Sequence, residues 1–590
     1  MDDANRRRIH SSVGRLVPSK LETFLAKLKR RRVYHVAVAY IVVGLGVLGA
    51  AELILEPLGL DNARPFIVVF TLLGFPLALV LAWAYDITPE GIERTGDSEG
   101  EIATTGTALE GPPAEKSEAV LADTRRLAIL PFANIHADRD ADYFADGMTE
   151  ELISVISRIH GLDVIARTSV MAYRDTTKSV TEIGRELNVG SVLEGSVRKE
   201  GDQLRITAQL IDVGTQGHLW SSDYDREIRE VFKVQADVAR NVAEALEITL
   251  LGAEEARIGR APTGNLEAYD LYLVGRHHLN KRTDTGLRKA IEQFGKAAAL
   301  DPSFALAYAG LADAYVLAGI GYAAIPDALS HANDAAIRAL ELDNELSEAH
   351  TALGYVRLNR DWDWEAAEAE FGRAIELNPS NAQAHQWHAH VALYRRRLVE
   401  ADRRADRARA LDPLSVLIQN ESGWPAYFRG DYGAAMERYQ QAAAMDPSFA
   451  MAHFNMGNIH EAEGRLDEAI RCFQRAVDLS DRMAFSVSCL GAALARAGKP
   501  DEARPLLEEL RAQGDKGAAL SVWIAALHEA LGERTEAVAE LERALERREP
   551  ILTGLDAPWL PFTSLRDEPR YEKVLQDVSE HWGWGMERPA

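Results

Sequence analysis

Residues 450–476 read AMAHFNMGNIHEAEGRLDEAIRCFQRA, and this stretch decides the fold of the C-terminal half of the chain. Upstream of it, three prolines follow one another at intervals of 34 residues, at Pro379, Pro413 and Pro447. Each proline ends a phrase Leu-Asn-Pro, Leu-Asp-Pro or Met-Asp-Pro that follows an amphipathic stretch with regularly placed alanines. A fixed period of this length is typical of a solenoid, in which each unit buries its apolar face only against its neighbours. The period therefore predicts an all-α solenoid.

The offsets within each unit match the tetratricopeptide (TPR) pattern. This pattern has Leu and Gly or Ala at positions 7 and 8, Ala at 20, an aromatic residue at 24, Ala at 27 and Pro at 32. In the unit that begins at Ala450, the matching residues are Met456, Gly457, Ala469, Phe473 and Ala476. We expect about eight such units between residues 265 and 550, with degenerate outer units, and a C-terminal cap at 551–590. They would form a TPR superhelix.

The resemblance to TPR repeats also implies a candidate binding groove. In that family, positions 5 and 9 of each first helix face the concave side of the superhelix. By count, these positions hold Gln386, His390, Asn420, Trp424, Phe454 and Asn458. Such side-chain amides can bind the backbone of an extended peptide. The alternative is that all six are ordinary helix residues. None is Lys or Arg, which argues against a co-chaperone that binds a C-terminal carboxylate.

The front of the chain has the composition of a membrane anchor. Residues 33–55 and 65–85 are two apolar stretches, each long enough to cross a bilayer, for which ~20 residues suffice. Ten of the first 32 residues are Lys or Arg, so the positive-inside rule places residues 1–32 in the cytoplasm. A hairpin over 33–85 would return the chain to the same side. A signal peptide is the alternative for the first stretch, but a second apolar stretch follows at once.

The remaining composition limits localisation and partners. Residues 86–124 are rich in Gly, Glu, Thr, Ala and Pro, which predicts a flexible acidic linker. The net charge of −24 does not favour nucleic-acid binding, because phosphate contacts need clustered basic residues. The pattern is that of a bacterial inner-membrane protein whose soluble domains are cytoplasmic, with lipid contacts confined to 33–85.

Between the linker and the repeats, residues 125–252 predict a small α/β domain. Strands are expected at 125–133, 163–167, 192–213 and 217–224, the third of these folded into two strands around a turn at 200–202. Helices are expected at 143–159, 180–187 and 230–251, from apolar residues at helical spacing. This alternation of strands and helices indicates a layered α/β arrangement.

The strings LAILPFANIHADRDADYFADGMTEELISVISRI and VLEGSVRKEGDQLRITAQLID resemble the TolB amino-terminal-like domain. That domain precedes TPR repeats in many bacterial proteins. The same pair of domains follows the catalytic domain of class III adenylate cyclases and occurs in membrane-bound transcription regulators and some kinases. The resemblance implies a fold and a set of related proteins, but not a reaction.

No motif in the sequence predicts a catalytic, cofactor or metal site. The two cysteines, Cys472 and Cys489, cannot form a four-cysteine zinc site, and we interpret them as core thiols. The acidic run 138–142 lacks the Gly and Glu of an EF-hand loop, which favours a solvated loop. His385, His388 and His390 have no nearby carboxylate or thiol ligand in the sequence, so packing or groove roles are preferred over a zinc site.

These observations together predict a membrane-anchored TPR scaffold for protein partners, without catalytic activity, in bacterial signalling or envelope assembly. Two alternatives remain open. The chain could be a sensory or regulatory module whose output is a separate nucleotide cyclase or kinase, or it could be a TPR-linked transferase.

Overall fold

The computed structural model describes residues 85–88, 91–94, 125–135, 142–323, 325–514, 520–549, 552, 555 and 562–582. The chain divides into two compact units, residues 1–116 and 117–590.

In the first unit, two short strands are described, β1 (Tyr85–Thr88) and β2 (Gly91–Arg94), which pair antiparallel. They lie where the sequence predicts the end of the second apolar stretch and the start of the linker, so part of that segment is ordered as a hairpin. Within the described residues, no helix is both long and apolar enough to cross a bilayer. The basic segment and the predicted spans lie outside the described residues, apart from Tyr85.

The second unit begins with a mixed sheet flanked by helices, which we call the sheet domain (residues 126–245). Its strands are β3 (Arg126–Ile129), β4 (Ala133–Asn134), β5 (Asp163–Val164), β6 (Ser191–Glu200), β7 (Gln203–Asp212) and β8 (His218–Glu227). Its helices are α1 (Asp142–Ile156), α2 (Arg167–Val170), α3 (Val180–Leu187) and α4 (Val231–Ala245). The strand order is β5-β3-β6-β7-β8, and β4 pairs with β6.

The sheet has one parallel and one antiparallel half. β3 is parallel to β5 and β6, with Leu127 opposite Ser191 in the second pair. β6, β7 and β8 form an antiparallel meander, whose first turn lies at Gly201-Asp202 with a positive φ of 57° at Gly201. The two strands around this turn and the helix at 180–187 confirm the sequence predictions.

Alternation along β3 places helices on both faces of the sheet. Leu127 and Ile129 pack in the core with α1 and α4, whereas Ala128 packs with α2 and α3 on the other face. α3 begins at a capping box, in which Ser179 and Glu182 bond to each other's backbone N–H groups. Local capping and strand alternation thus both support a three-layer α/β arrangement. The sequence predicts a layered α/β arrangement here.

After a connecting helix, α5 (Gly252–Ile258), the chain continues as helix pairs, which we call the repeat domain (residues 266–546). Repeats 1 to 4 are α6 (Leu266–Leu279) with α7 (Asp284–Leu300), α8 (Ala305–Leu317) with α9 (Ala328–Leu342), α10 (Ser347–Val356) with α11 (Trp364–Leu377), and α12 (Ala382–Tyr394) with α13 (Leu398–Leu411).

Repeats 5 to 8 are α14 (Val416–Glu421) and α15 (Trp424–Phe428) with α16 (Tyr432–Met445), α17 (Ala450–Ala462) with α18 (Leu466–Leu479), α19 (Ala484–Arg496) with α20 (Pro500–Gly514), and α21 (Ser521–Ala530) with α22 (Arg534–Glu546). A final helix, α23 (Pro569–Trp582), packs against α22. The C-terminal part is therefore a mostly helical TPR solenoid.

The two helices of a repeat approach most closely where a glycine faces an aromatic ring. A Cβ atom added at Gly457 would lie 2.6 Å from the Phe473 ring, and one at Gly354 would lie 2.7 Å from the Phe371 ring. Both rings are fully buried. A side chain at these glycines would push the helices apart, which explains the small residue at position 8 opposite the aromatic residue at position 24.

Two repeats depart locally from regular helix. Repeat 3 has one residue more than the pattern, and a π-helical turn at Arg357–Asp361 accommodates it. In repeat 5, the first helix ends at Glu421 and restarts at Trp424, with Pro425 in the first turn of α15. Proline cannot donate to a helical hydrogen bond, so it is tolerated at this new start but not inside a continuous helix.

The sheet domain and the first repeats share one hydrophobic core. Phe232 of α4 lies 4.6 Å from Tyr269 of α6, measured between ring centroids, in an edge-to-face arrangement. The amide of Gln235 donates to the Tyr269 hydroxyl at 3.0 Å, so the polar end of this buried ring is satisfied. Met148 and Leu152 of α1 belong to the same buried cluster. The two domains therefore pack as one body.

We predict that Gly457→Ala lowers the free energy of unfolding by about 1–3 kcal/mol, because the added Cβ collides with the buried Phe473 ring. The matched control is Gly372→Ala, another glycine inside a helix, with no neighbouring atom within 4 Å of its added Cβ. The control should gain about 0.5–1 kcal/mol from helix propensity. Thermal and urea unfolding of the full chain measure both, and equal effects would contradict the packing account.

Candidate partner-binding surface

The sheet domain is bound to the repeat domain through a carboxylate at the end of its sheet. Arg407 of α13 donates from both terminal nitrogens to the two oxygens of Asp163, each at 2.6 Å. Arg126 contacts Asp163 at 3.4 Å and donates to the carbonyl of Ala410 at 2.9 Å. Burial alone would raise the pKa of Asp163, but the hydrogen bonds and charge of Arg407 lower it overall.

Backbone and hydroxyl contacts extend this interface. The Ser169 hydroxyl donates to Asp412 at 2.6 Å and accepts from the N–H of Leu414 at 2.8 Å. Ser380 accepts from the N–H of Val164 at 3.0 Å. The sheet domain thus contacts the loops that follow α11 and α13.

Farther along, a group of buried charges joins α1 to the first three repeats. Glu150 accepts from Arg276 at 2.6 Å and from Asn280 at 2.9 Å, and it contacts Arg167 at 3.1 Å. Burial would raise the pKa of Glu150, but Arg276 and Arg167 lower it overall. The neighbouring Glu151 is also buried, and here burial, followed by the charge of Glu150, raises the pKa to about 7.

Three of the six predicted groove residues, Gln386, His390 and Trp424, meet at one pocket between repeats 4 and 5. Gln386 donates to Glu421 at 2.7 Å, and a ring nitrogen of His390 lies 2.8 Å from the same carboxylate oxygen. The His390 and Trp424 rings lie 5.0 Å apart, measured between centroids. We call this site the Ala405 pocket; its lining residues are Gln386, Ala389, His390, Leu393, Ala405, Ala408, Ile418, Glu421, Ser422, Trp424 and Pro425.

The Ala405 pocket exists because repeat 4 lacks an aromatic residue. Ala405 is at position 24 of that repeat, where repeats 3 and 6 place Phe371 and Phe473 between their helices. Alanine at both Ala389 and Ala405 leaves the space between α12 and α13 unfilled. The result is a small pocket with an apolar floor and a polar rim.

The other three predicted groove residues are almost fully buried. Asn420 is 0% exposed and accepts from the amide of Asn455 in the next repeat at 3.2 Å. Phe454 packs edge-to-face on Phe485 at 4.8 Å between ring centroids. Asn458 is also buried. Asn420 and Phe454 thus connect consecutive repeats.

Sequence reasoning missed Glu421, the carboxylate that orients Gln386 and His390. A signal for it was present, because Gln386 and Glu421 are 35 residues apart, as are Asn420 and Asn455. Polar residues separated by about one repeat length lie side by side in a solenoid. Reading the pattern across repeats, rather than within each one, finds these pairs.

The three histidines considered as metal ligands lie in different surroundings. A ring nitrogen of His385 lies 3.1 Å from the Pro379 carbonyl, and His390 pairs with Glu421. Burial lowers the pKa of both His385 and His388 to about 4. Among the described residues, one group could hold a metal ion: His388 with Glu368 and Glu400, which come from the flanking helices α11 and α13.

Two family models match parts of the chain. The tetratricopeptide repeat model matches residues 421–484 and 490–550. A model described as the second domain of HilA/YgeH-like transcriptional regulators matches residues 123–241, which include all of the sheet domain except the end of α4. The chain therefore contains TPR repeats preceded by a domain similar to one in those regulators.

Among curated proteins, putative adenylate cyclase 3 of Rhizobium meliloti (strain 1021) is 37% identical over 246 residues, which is 41% of this chain and 41% of that protein. The transcriptional regulator HilA of Salmonella typhimurium is 22% identical over 396 residues, 66% of this chain and 63% of that protein. The chain is thus homologous to the cyclase over part of its length and covers less than two thirds of either protein. A solved structure from a study of Pseudomonas aeruginosa pilF has a TM-score of 0.28 and 19% identity, and covers 36% of this chain and 95% of that one.

We predict that Asp163 and Arg407 stabilise the domain interface jointly. In a double-mutant cycle, Asp163→Asn and Arg407→Gln should show a coupling energy of about 1–2 kcal/mol, because the bidentate pair is partly buried. Native-state hydrogen exchange in residues 162–170 reports this local opening. Asp406→Asn, on the same helix but exposed, is the matched control and should show coupling to Arg407 near zero. Additive effects for Asp163 would contradict the interface account.

A second prediction concerns pH. Since the folded chain holds a proton on Glu151 up to about pH 7, whereas an unfolded glutamate releases it near pH 4.5, stability from this group falls as pH rises between these values. The charged groups facing it are Glu150, Arg276, Arg158 and Glu348. Glu151→Gln should therefore leave the melting temperature little changed at pH 4.5 and raise it at pH 8.

At pH 8, the free energy of unfolding of Glu151→Gln should exceed that of the unmodified chain by a value on the order of 2 kcal/mol. Melting curves from pH 4.5 to 8 measure it. Glu244→Gln, on the exposed side of α4, is the control for the loss of one carboxylate and should change the melting temperature much less at pH 8. A stabilisation by Glu151→Gln that is largest at the acidic end would contradict the assignment.

Proposed function

We propose that this chain is a non-catalytic scaffold that binds protein partners through the Ala405 pocket of its TPR repeats. The observation that carries the proposal is the pocket itself, since three residues chosen by repeat position line it together with Glu421. TPR repeats preceded by a regulator-like domain support a binding function rather than a reaction. The sheet domain contacts the loops that follow α11 and α13 in repeats 3 and 4. These loops do not line the Ala405 pocket, so the pocket remains available to a partner.

The lining of the pocket indicates what a partner segment should carry. A small apolar side chain can pack against the floor formed by Ala389, Ala405 and Ile418. Gln386 and His390 both contact the same oxygen of Glu421, so its other oxygen can accept from a partner. A Lys or Arg next to an apolar residue meets both requirements.

Asn420, Phe454 and Asn458 support this site from within. Their burial and their contacts between repeats fix the spacing of the first helices, and that spacing determines the width of the surface. We propose that direct contacts to a peptide come from Gln386 and His390, with Trp424 at the rim.

Location and pathway belong to the same proposal. Residues 33–55 and 65–85 would hold the scaffold at a bacterial inner membrane with its soluble domains in the cytoplasm. The motifs that resemble the TolB amino-terminal-like domain support a role in signalling or envelope assembly, because that domain accompanies TPR repeats in membrane-bound bacterial proteins.

A second candidate function is a regulatory module that acts with a separate nucleotide cyclase. The partial homology to a putative adenylate cyclase favours it. In this version the partner segment comes from the cyclase. Recovery of a cyclase catalytic chain through the Ala405 pocket would favour this candidate over a general scaffold.

The experiment that tests the proposal fills the pocket. Ala405→Phe places an aromatic ring in the pocket and excludes a partner side chain from it, and a melting curve of the variant checks that the repeat domain still folds. Peptides selected from a displayed random library on the full chain should share an apolar residue beside Lys or Arg. Their affinity for Ala405→Phe should fall by at least about tenfold, as expected when a buried anchor is lost.

The control for this experiment is Val399→Ala, which changes an exposed side chain of the same helix and should leave affinity unchanged. Glu421→Gln should weaken peptides that carry Lys or Arg more than those that lack them. If the selected peptides bind Ala405→Phe as tightly as the unmodified chain, the pocket is not the binding site.

A further inference from the structure

Repeat 4 departs from the TPR pattern at a second position. His388 stands at position 7, where repeats 3, 6 and 7 have the apolar residues Leu353, Met456 and Leu490. This position packs between helices, and His388 is only 3% exposed. A polar ring therefore occupies a core position at which an apolar side chain would suffice.

Within the described part of the chain, neither nitrogen of this buried ring has a hydrogen-bond partner. A buried polar group without a partner costs about 1–3 kcal/mol, and such groups usually mark a bound water or ion. An imidazole binds a metal ion through the lone pair of its unprotonated nitrogen, and this ring offers both nitrogens inside the fold.

Two carboxylates face this ring from the neighbouring helices. The Nε2 atom of His388 lies 3.9 Å from an oxygen of Glu368 on α11 and 4.0 Å from an oxygen of Glu400 on α13. The three ligand atoms lie within 4.8 Å of one another. These separations are too long for hydrogen bonds. They also exceed the ~3.4 Å between ligands of a tetrahedral zinc ion, so side-chain shifts of about 0.5 Å would bring the three atoms to zinc distances of about 2.0–2.2 Å.

We propose that Glu368, His388 and Glu400 bind a divalent transition-metal ion, with zinc as the best-suited probe. One imidazole and two carboxylates, without a thiolate, are a ligand set that Zn²⁺ accepts and that Mg²⁺ or Ca²⁺ would not prefer. Three protein ligands leave at least one position for water. The site would tie α11, α12 and α13 together, and so fix repeat 4 against repeat 3.

Three arginines lie around the proposed metal site, and their positive charge limits its affinity for a cation. Arg395 donates to Oε2 of Glu368 at 2.9 Å, and such a hydrogen bond orients a metal-binding carboxylate. Arg397 donates at 2.8 Å to Oε1 of Glu368, the oxygen that faces His388, and lies 3.2 Å from Glu400, so this hydrogen bond would give way to a bound ion. Arg404 lies 3.7 Å from Glu400, and its positive charge opposes a cation. Removing that charge should therefore strengthen metal binding.

The test is a zinc titration of the full chain, prepared without an affinity tag and treated with a chelator. Isothermal titration calorimetry should show one zinc ion per chain. His388→Gln and Glu400→Gln should each lower the affinity by at least about tenfold, as expected for loss of a ligand. Glu400 is partly exposed, so its variant keeps the test open if His388→Gln does not fold.

Three further readouts separate this site from others. His385→Gln, a buried histidine one turn earlier on the same helix, should bind zinc as the unmodified chain does. Arg404→Gln should bind it more tightly. Cobalt in place of zinc should give absorption bands of nitrogen and oxygen ligands without thiolate charge transfer. Absence of binding, equal affinity in His388→Gln, or a thiolate band would each overturn the proposal.

Discussion

The repeat domain depends on one steric constraint, the contact between a glycine and an aromatic ring inside the helix pairs of repeats 1, 3, 5 and 6. Where Gly457 faces Phe473, the helices approach until the ring fills the space between them. Each repeat then presents the same faces to its neighbours, and a solenoid forms from nearest-neighbour contacts alone. Repeat 4 has Ala405 in place of the ring and His388 in place of an apolar residue. Its two departures produce the pocket and the cluster of metal-ligating side chains.

The sheet domain makes this exceptional repeat part of a larger body. Arg407 and Asp412, which contact the sheet domain, lie on and just after α13, the helix that also carries Ala405. A partner that enters the Ala405 pocket would therefore contact α13, the helix that Asp163 of the sheet domain also contacts. This arrangement gives a physical route by which binding at the repeats could affect the sheet domain, because both act on α13.

Much of the fold follows from the sequence, because repeat spacing and strand alternation are local signals. The helix pairs, the α3 helix at 180–187 and the strands around Gly201 follow from such patterns. The candidate site is harder to predict from the sequence than the fold. The partners of Gln386 and Asn420 come from the next repeat, and the carboxylates nearest to His388 come from two flanking helices, so no single stretch of sequence contains them. The interruption at Pro425 also depends on which helix position the proline occupies.

The most direct test of the central claim, that repeat 4 is where this chain recognises its partner, is hydrogen–deuterium exchange with and without a bound peptide. The account predicts slower exchange in α12 to α15, with weaker protection transmitted through α13 to residues 162–170. Protection confined to repeats 6 to 8, where aromatic residues or other large side chains close the helix pairs, would contradict it.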